Sequence, residues 1–375
     1  MNLRRCSSGR NVMMQIFPLA LIFLFTIQSC QKDKVFVPLS TPPIGNSGVS
    51  VDLTQVPYAK LSDYGFFTSP MKNQVPVAGV LPYQLASSLF TDYALKKRFV
   101  WMPQGNKATY SGDHEILEFP IGSALIKTFY YNNVQPNDET KILETRIMIL
   151  KSTGWIFTEY VWNDEQTEAY LDMEGSYKNI SWQQGGVTKS TNYRIPSETE
   201  CMTCHKDNNQ PIPIGTKPQN MNFDYAYSDG TSNQLSKWIQ AGFLENNLPS
   251  SIVSSIDYMD ESYPLRLRLR SYLDINCAHC HRENSHCSYR PLRLAFSETI
   301  NSQNMGICIV PDEQISSQAQ LIEIIVPGNV QKSMMHFRLN STAENNRMPL
   351  LGRTIVHEEG VQLLKDFINS ISTCD

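Results

Sequence analysis

Beyond its first 30 residues the chain has no apolar run approaching the roughly 20 residues that a bilayer-spanning helix needs. It also lacks an excess of charge of either sign: 32 Lys and Arg stand against 36 Asp and Glu, for a formal net charge of −4. A nucleic-acid-binding surface is therefore not expected. What is present is length and aromatic mass. The 375 residues leave room for two or three domains, and the 17 Tyr, 16 Phe and 5 Trp suit a β-rich core or the lining of a large cofactor pocket.

The N-terminus reads as a targeting segment. Arg4, Arg5 and Arg10 precede an apolar stretch from Val12 to Ile27, and polar residues follow at once. Ile27-Gln28-Ser29-Cys30 resembles a bacterial lipoprotein signal, with residues 1–29 removed and Cys30 carrying the lipid. The competing reading is an uncleaved anchor helix. Either one puts the rest of the chain outside the cytoplasmic membrane. Residues 30–50, rich in Pro, Ser and Gly, read as a tether.

Residues 51–195 have the texture of a β-domain. Strand candidates are Arg98 to Met102, Ala124 to Tyr131 and Gln166 to Met173, with a hairpin formed by Glu144 to Lys151 and Trp155 to Trp162. Period-two alternation puts Phe157 and Glu159 on one face of the last strand and Thr158, Tyr160 and Trp162 on the other. The simplest architecture for these strands is an antiparallel sandwich. Asp92 and Tyr93 either shape a site here or mark a structural corner.

Two Cys-x-x-Cys-His runs follow: Cys201-Met202-Thr203-Cys204-His205 and Cys277-Ala278-His279-Cys280-His281. This is the attachment signature of c-type haem. Each cysteine adds across a porphyrin vinyl group, and on a helical turn the second cysteine and the histidine share a face, so that His205 and His281 become iron ligands. A zinc ribbon or redox pair is the rival reading, but zinc ribbons separate their halves by about 15–20 residues, and here 72 residues, 205 to 276, intervene. The expected cofactors are two covalently bound haem c groups.

Around the first run, in residues 196–256, Ser197 and Glu200 stand at capping-box spacing, and Ser232 to Leu244 carries an apolar helical face. Around the second, in residues 257–375, Pro264 opens either a helix or a strand leading to Cys277. The stretch Glu358 to Ile371 has a helical stripe. A helix entering the run and a C-terminal helix crossing it would make a mostly α-helical, cytochrome c-like region, and the whole chain an α+β multi-domain protein.

Met348, before Pro349, is the expected sixth ligand of the second iron. Met334 and Met335 read as core residues. Met221 is a weaker candidate for the first iron, with His114, His279, His286, His336 and His357 as further options. Arg282 and Arg347 either pair with porphyrin carboxylates or are surface charges. Cys287 and Cys308 are one plausible disulfide, and Cys374 reads as a loose end.

Several stretches together resemble a family of exported bacterial dihaem c-type cytochromes. They are Leu117 to Gly122, Tyr160 to Thr167, Gly215 to Asn222, Tyr272 to His281 and Arg347 to Gly360, in order across roughly residues 60–372. The resemblance implies two covalent haems behind a β-rich region, and names no substrate. The function expected is electron transfer between redox partner proteins at a membrane surface. The alternative is a haem enzyme, peroxidase-like or the haem subunit of a dehydrogenase, with an open position on the first iron.

Overall fold

The computed structural model describes residues 48–374; the leader, Cys30 and most of the tether lie outside them. The described residues belong to one compact unit.

Its centre is a single eight-stranded antiparallel sheet. Strands β1 (Val80–Tyr83), β2 (Leu95–Trp101), β3 (Ala124–Val134), β4 (Glu139–Lys151), β5 (Gly154–Trp162) and β6 (Ala169–Leu171) lie in chain order. The hairpin of β7 (Ser176–Gln184) and β8 (Val187–Ile195) joins only at the end of β3, where Val134 faces Trp182. The β4–β5 hairpin falls where its alternation puts it, closing at Lys151 opposite Gly154. A sandwich of two sheets does not form.

Both faces of the sheet are covered. One carries Phe99, Ile126, Ile147, Tyr160 and Trp162 against Leu61, Tyr64 and Phe66 of the preceding segment. The other packs Val100, Leu125 and Met148 against Leu235, Trp238 and Ile275. The core under this second face thus draws on the chain before the first motif and on the stretch between the two motifs.

The expectation of an α+β fold with a mostly α-helical C-terminal region is overturned: the described residues are mostly β, with short helices. Among the described residues the α-helices are α1 (Glu198–Cys204), α2 (Pro218–Met221), α3 (Gln234–Gln240), α4 (Leu265–Asn276), α5 (Met334–Leu339) and α6 (Glu358–Ser370). Two small hairpins interrupt them: β9 (Lys206–Asp207) with β10 (Gln210–Pro211), and β11 (Asp224–Tyr227) with β12 (Gly230–Asn233). Between α4 and α5 the chain runs through Pro291, Pro311 and Pro327 and takes positive φ at Asn284, Gly306, Cys308 and Gly328. Such residues break helices. Isolated bridges, Ile307 with Ile325 and Glu323 with Ser333, hold this segment instead.

A disulfide also holds it, but not the one expected. Cys308 bonds to Cys374, while Cys287 is buried and free. The chain end beyond α6 is thereby tied back onto the irregular segment. No helix among the described residues is long and apolar enough to cross a membrane.

Candidate functional site

Helix α1 begins as its sequence directs: the Glu200 carboxylate accepts from the Ser197 backbone N–H at 2.7 Å, completing a capping box. The helix ends at Cys204, and the next residues make a tight hairpin. Asn208 and Asn209 both take positive φ, which a two-residue hairpin turn requires. The turn returns Ile212 to His205. The backbone N–H of Ile212 donates to the His205 carbonyl at 3.1 Å, and the Ile212 carbonyl lies 3.0 Å from His205 Nδ1. With Nδ1 donating to that carbonyl, the ring tautomer is fixed and Nε2 keeps its lone pair for a ligand. Burial holds the His205 imidazole neutral, lowering its pKa to about 4.

Cys201, Cys204 and His205 border a cavity with about 1360 Å³ of atom-free space, counting its solvent-facing mouth. Leu85, Leu125, Met148, Phe157 and Ile214 give it apolar walls, and Pro349, Leu351 and Gly352 close one side.

The second run sits at the C-terminus of α4. The backbone N–H groups of Cys277 and His281 donate to the carbonyls of Leu273 and Cys277, carrying one further turn through the motif. His281 is also kept neutral by burial, with its pKa lowered to about 4, and its Nδ1 is buried without a hydrogen-bond partner.

The two runs meet. Cys204 Sγ and Cys280 Sγ are 4.0 Å apart, and Cys280 Sγ lies 3.6 Å from the Thr203 carbonyl. The contact between the sulfurs lowers the pKa of Cys204 and raises that of Cys280. Burial lifts Cys201 to about 11 and Cys277 to about 12. All four motif cysteines are free of disulfides. Just outside the contact, Arg282 Nη1 pairs with Asp207 at 3.0 Å, and the Asn208 N–H donates to the Asn284 carbonyl at 3.1 Å. The loops that follow the two runs are thus stitched to each other.

His279, read from sequence as filling a variable slot, belongs to this contact. A donor atom of its ring lies within 4.8 Å of both Cys204 and Cys280 sulfurs. Three donors fall one short of the four that a structural zinc site uses. Free thiols in pairs, each followed by a neutral imidazole, and an apolar cavity beside the first pair fit the requirements of covalent haem.

The other candidates divide. Met348 lies on a loop fastened by Arg353, which is 3% exposed. Its guanidinium donates to the carbonyls of Met348, Arg338, Ser341 and Ile355 at 2.8 to 3.2 Å. The residues just after Met348 border the cavity. Met221 is fully buried in the core with Leu235 and Trp238 and is not among the cavity's lining residues. Met334 and Met335 are buried. His114 bonds to Gln219, and His357 is enclosed by aromatic rings. Arg282 is taken by Asp207, and Arg347 lies 3.8 Å from Glu344.

Asp92 is a structural corner. Its carboxylate accepts from the Thr354 and Ile355 backbone N–H groups and from the hydroxyls of Thr354 and Thr191. This single buried side chain pins the loop that follows Met348 to the sheet.

One feature of the cavity is missing from the motifs altogether. On the sheet face toward it, Arg98, Lys127, Arg146 and Glu159 stand directly opposite one another on β2, β3, β4 and β5, and all four line the cavity. Arg146 is bracketed by Glu144 and by Glu159, the latter at 3.0 Å. Although burial opposes ionisation, Arg146 holds Glu144 below the usual carboxylate range. Burial, then the charge of Glu144, pushes Glu159 well above it.

No protein-family profile, no curated protein and no solved structure matches the chain.

Proposed function

We propose that this chain is an exported dihaem c-type cytochrome that carries electrons between redox partner proteins, anchored by lipid at Cys30. One observation carries the reading: two Cys-x-x-Cys-His runs, 76 residues apart between Cys204 and Cys280, fold back until those sulfurs are 4.0 Å apart. Random placement of two unrelated thiol pairs gives no reason for that convergence. A pair of cofactors attached there would begin from neighbouring sulfurs.

Haem, when bound, supplies a one-electron iron couple whose potential follows its axial ligands and surroundings. The chain's own residues supply the rest. His205 presents Nε2 in a fixed tautomer. Burial keeps His205 and His281 neutral and so able to ligate. Apolar walls flank the first attachment site, and Arg353 and Asp92 fasten the loop of Met348, the proposed sixth ligand at the second site.

A second reading has its own support. Met221 faces the core and not the cavity, so with Met348 assigned to the second site, although the loop after it borders the first, the first site has no assigned sixth ligand. An exchangeable position there would suit a haem enzyme.

Mass and pyridine-haemochrome quantitation of the mature exported protein test the proposal. Two haems per chain are expected, falling to one when Cys201 and Cys204 are both changed to Ala. Bare apoprotein from a host competent in haem attachment would end it. Cyanide or carbon monoxide separates the two readings: inertness at both haems favours the carrier, and stoichiometric binding at one favours the enzyme. Met348→Ala should abolish the long-wavelength methionine–iron band.

A further inference from the structure

The row of charges across the sheet is not balanced. Arg146 has Glu144 and Glu159, and Arg194 at the same cavity has Glu200 at 2.7 Å. Among the described residues, Arg98 and Lys127 have no carboxylate within ion-pair distance. Arg98 is 5% exposed. Its Nη1 donates to Gln84 at 2.9 Å, but its Nη2 is buried with no hydrogen-bond partner. Lys127 rests its amine 4.8 Å from the Phe129 ring centre; burial, then Arg98, Arg146 and Lys96, holds its pKa well below the usual lysine range, so it keeps its proton firmly only when an anion comes beside it.

Like charges directly opposite on neighbouring strands repel, and a buried guanidinium nitrogen without an acceptor costs free energy. A fold tolerates such a pair where an anion completes it. The cavity offers these two cations to whatever enters it.

The position of the pair narrows the choice. Helix α1, which carries Cys201 and Cys204, packs against β5. Strands in a sheet are about 4.8 Å apart, so β3 and β2 lie roughly 10 and 14 Å across the sheet from β5. The free cations are therefore displaced from the thiols along the cavity floor. A porphyrin fixed through its vinyl edge carries its two carboxylates on the far side of the ring.

We propose that Arg98 and Lys127 seat the two carboxylates of the haem attached at Cys201 and Cys204. This rests on the dihaem reading. Arg282 and Arg347, the residues beside the motifs, are replaced in that role by two residues on strands of the sheet. The pair also provides positive charge near the first iron, which favours its reduced state.

The test is a potentiometric titration of the mature, haem-loaded protein, followed by absorbance at several pH values, with Arg98→Gln, Lys127→Gln and Arg98→Lys. Each Gln variant should move one of the two waves to lower potential, a shift of up to about tenfold in that haem's reduction equilibrium. That wave should also become more pH-dependent, since a carboxylate that loses its cation protonates more readily. Arg98→Lys, which keeps the charge, should retain most of the wild-type potential. A merely structural role would not separate Lys from Gln in this way. If Arg98→Gln does not accumulate, Lys127→Gln gives the same reading at a half-buried position.

Two intact haems with both waves unmoved in the Gln variants would overturn the assignment and leave the dihaem reading standing. So would a saturable shift on adding free succinate to the wild-type protein that Arg98→Gln abolishes, because the row would then belong to a free dicarboxylate. A wild-type chain without haem removes the reading on which the assignment rests.

Discussion

His357 sits among four rings. Phe90 stacks on it at 4.1 Å between centres, and Tyr93, Tyr258 and Tyr272 lie 5.5 to 6.0 Å away. Burial lowers its pKa to about 3. An unfolded chain would hold that proton up to about pH 6.5. Below that pH the unfolded state binds a proton that the folded state refuses, so stability falls as pH drops from about 6.5 toward 3, by about 1.4 kcal/mol per unit. In His357→Phe that contribution should disappear, leaving those of the buried His205 and His281. Urea denaturation at pH 7 and pH 5 checks it: the wild-type difference should exceed the variant's by about 2 kcal/mol, and equal differences would refute the assignment. The motif cysteines and histidines were legible at this scale because their chemistry lies in adjacent residues. Arg98, Lys127 and Arg353 were not. Their partners are set by strand register and by a loop that doubles back, and neither can be read from spacing along the chain.

Among the elements, α4 and α6 show how close a contact the sequence can specify. Gly360 lies in the first turn of α6, and a Cβ there would come within 2.3 Å of the Tyr272 hydroxyl and 2.8 Å of His357 Nδ1. Tyr272 is 3% exposed and has nowhere to swing. On an open helix Gly→Ala gains about 1 kcal/mol. Here overpacking should outweigh that gain, and Gly360→Ala should destabilise by about 1–3 kcal/mol, measured by thermal or urea unfolding; a stabilised variant would mean that the helices can part. The stripe of α6, the capping box of α1 and the alternation of β4 and β5 all point to the elements that form. The helix expected from Ser232 starts only at Gln234, because Gly230–Asn233 pairs with Asp224–Tyr227. The expected cytochrome-like helical region fails for a broader reason. From Cys277 to Ser333 the chain is held by isolated bridges and a disulfide, contacts that local periodicity does not encode.

For the molecule as a whole, that disulfide joins segments 66 residues apart. Closing a loop of that length restricts the unfolded chain by up to about 4 kcal/mol. Cys374→Ser should therefore lower the denaturation midpoint clearly, and a reductant should do the same to the wild type and nothing further to the variant. An unchanged midpoint in Cys374→Ser would show that the bridge adds nothing in solution.

The stitching of the two motif loops has a consequence for biogenesis. Asp207 with Arg282, and Asn208 with Asn284, close the fold over the paired sulfurs of Cys204 and Cys280. A ligase that builds thioethers needs each thiol exposed, one porphyrin at a time. With these clasps shut, both cysteines are partly buried and their sulfurs face each other. On the dihaem proposal, each porphyrin would be attached before the two loops dock, so the cofactors would enter with folding and not as late additions to a finished protein.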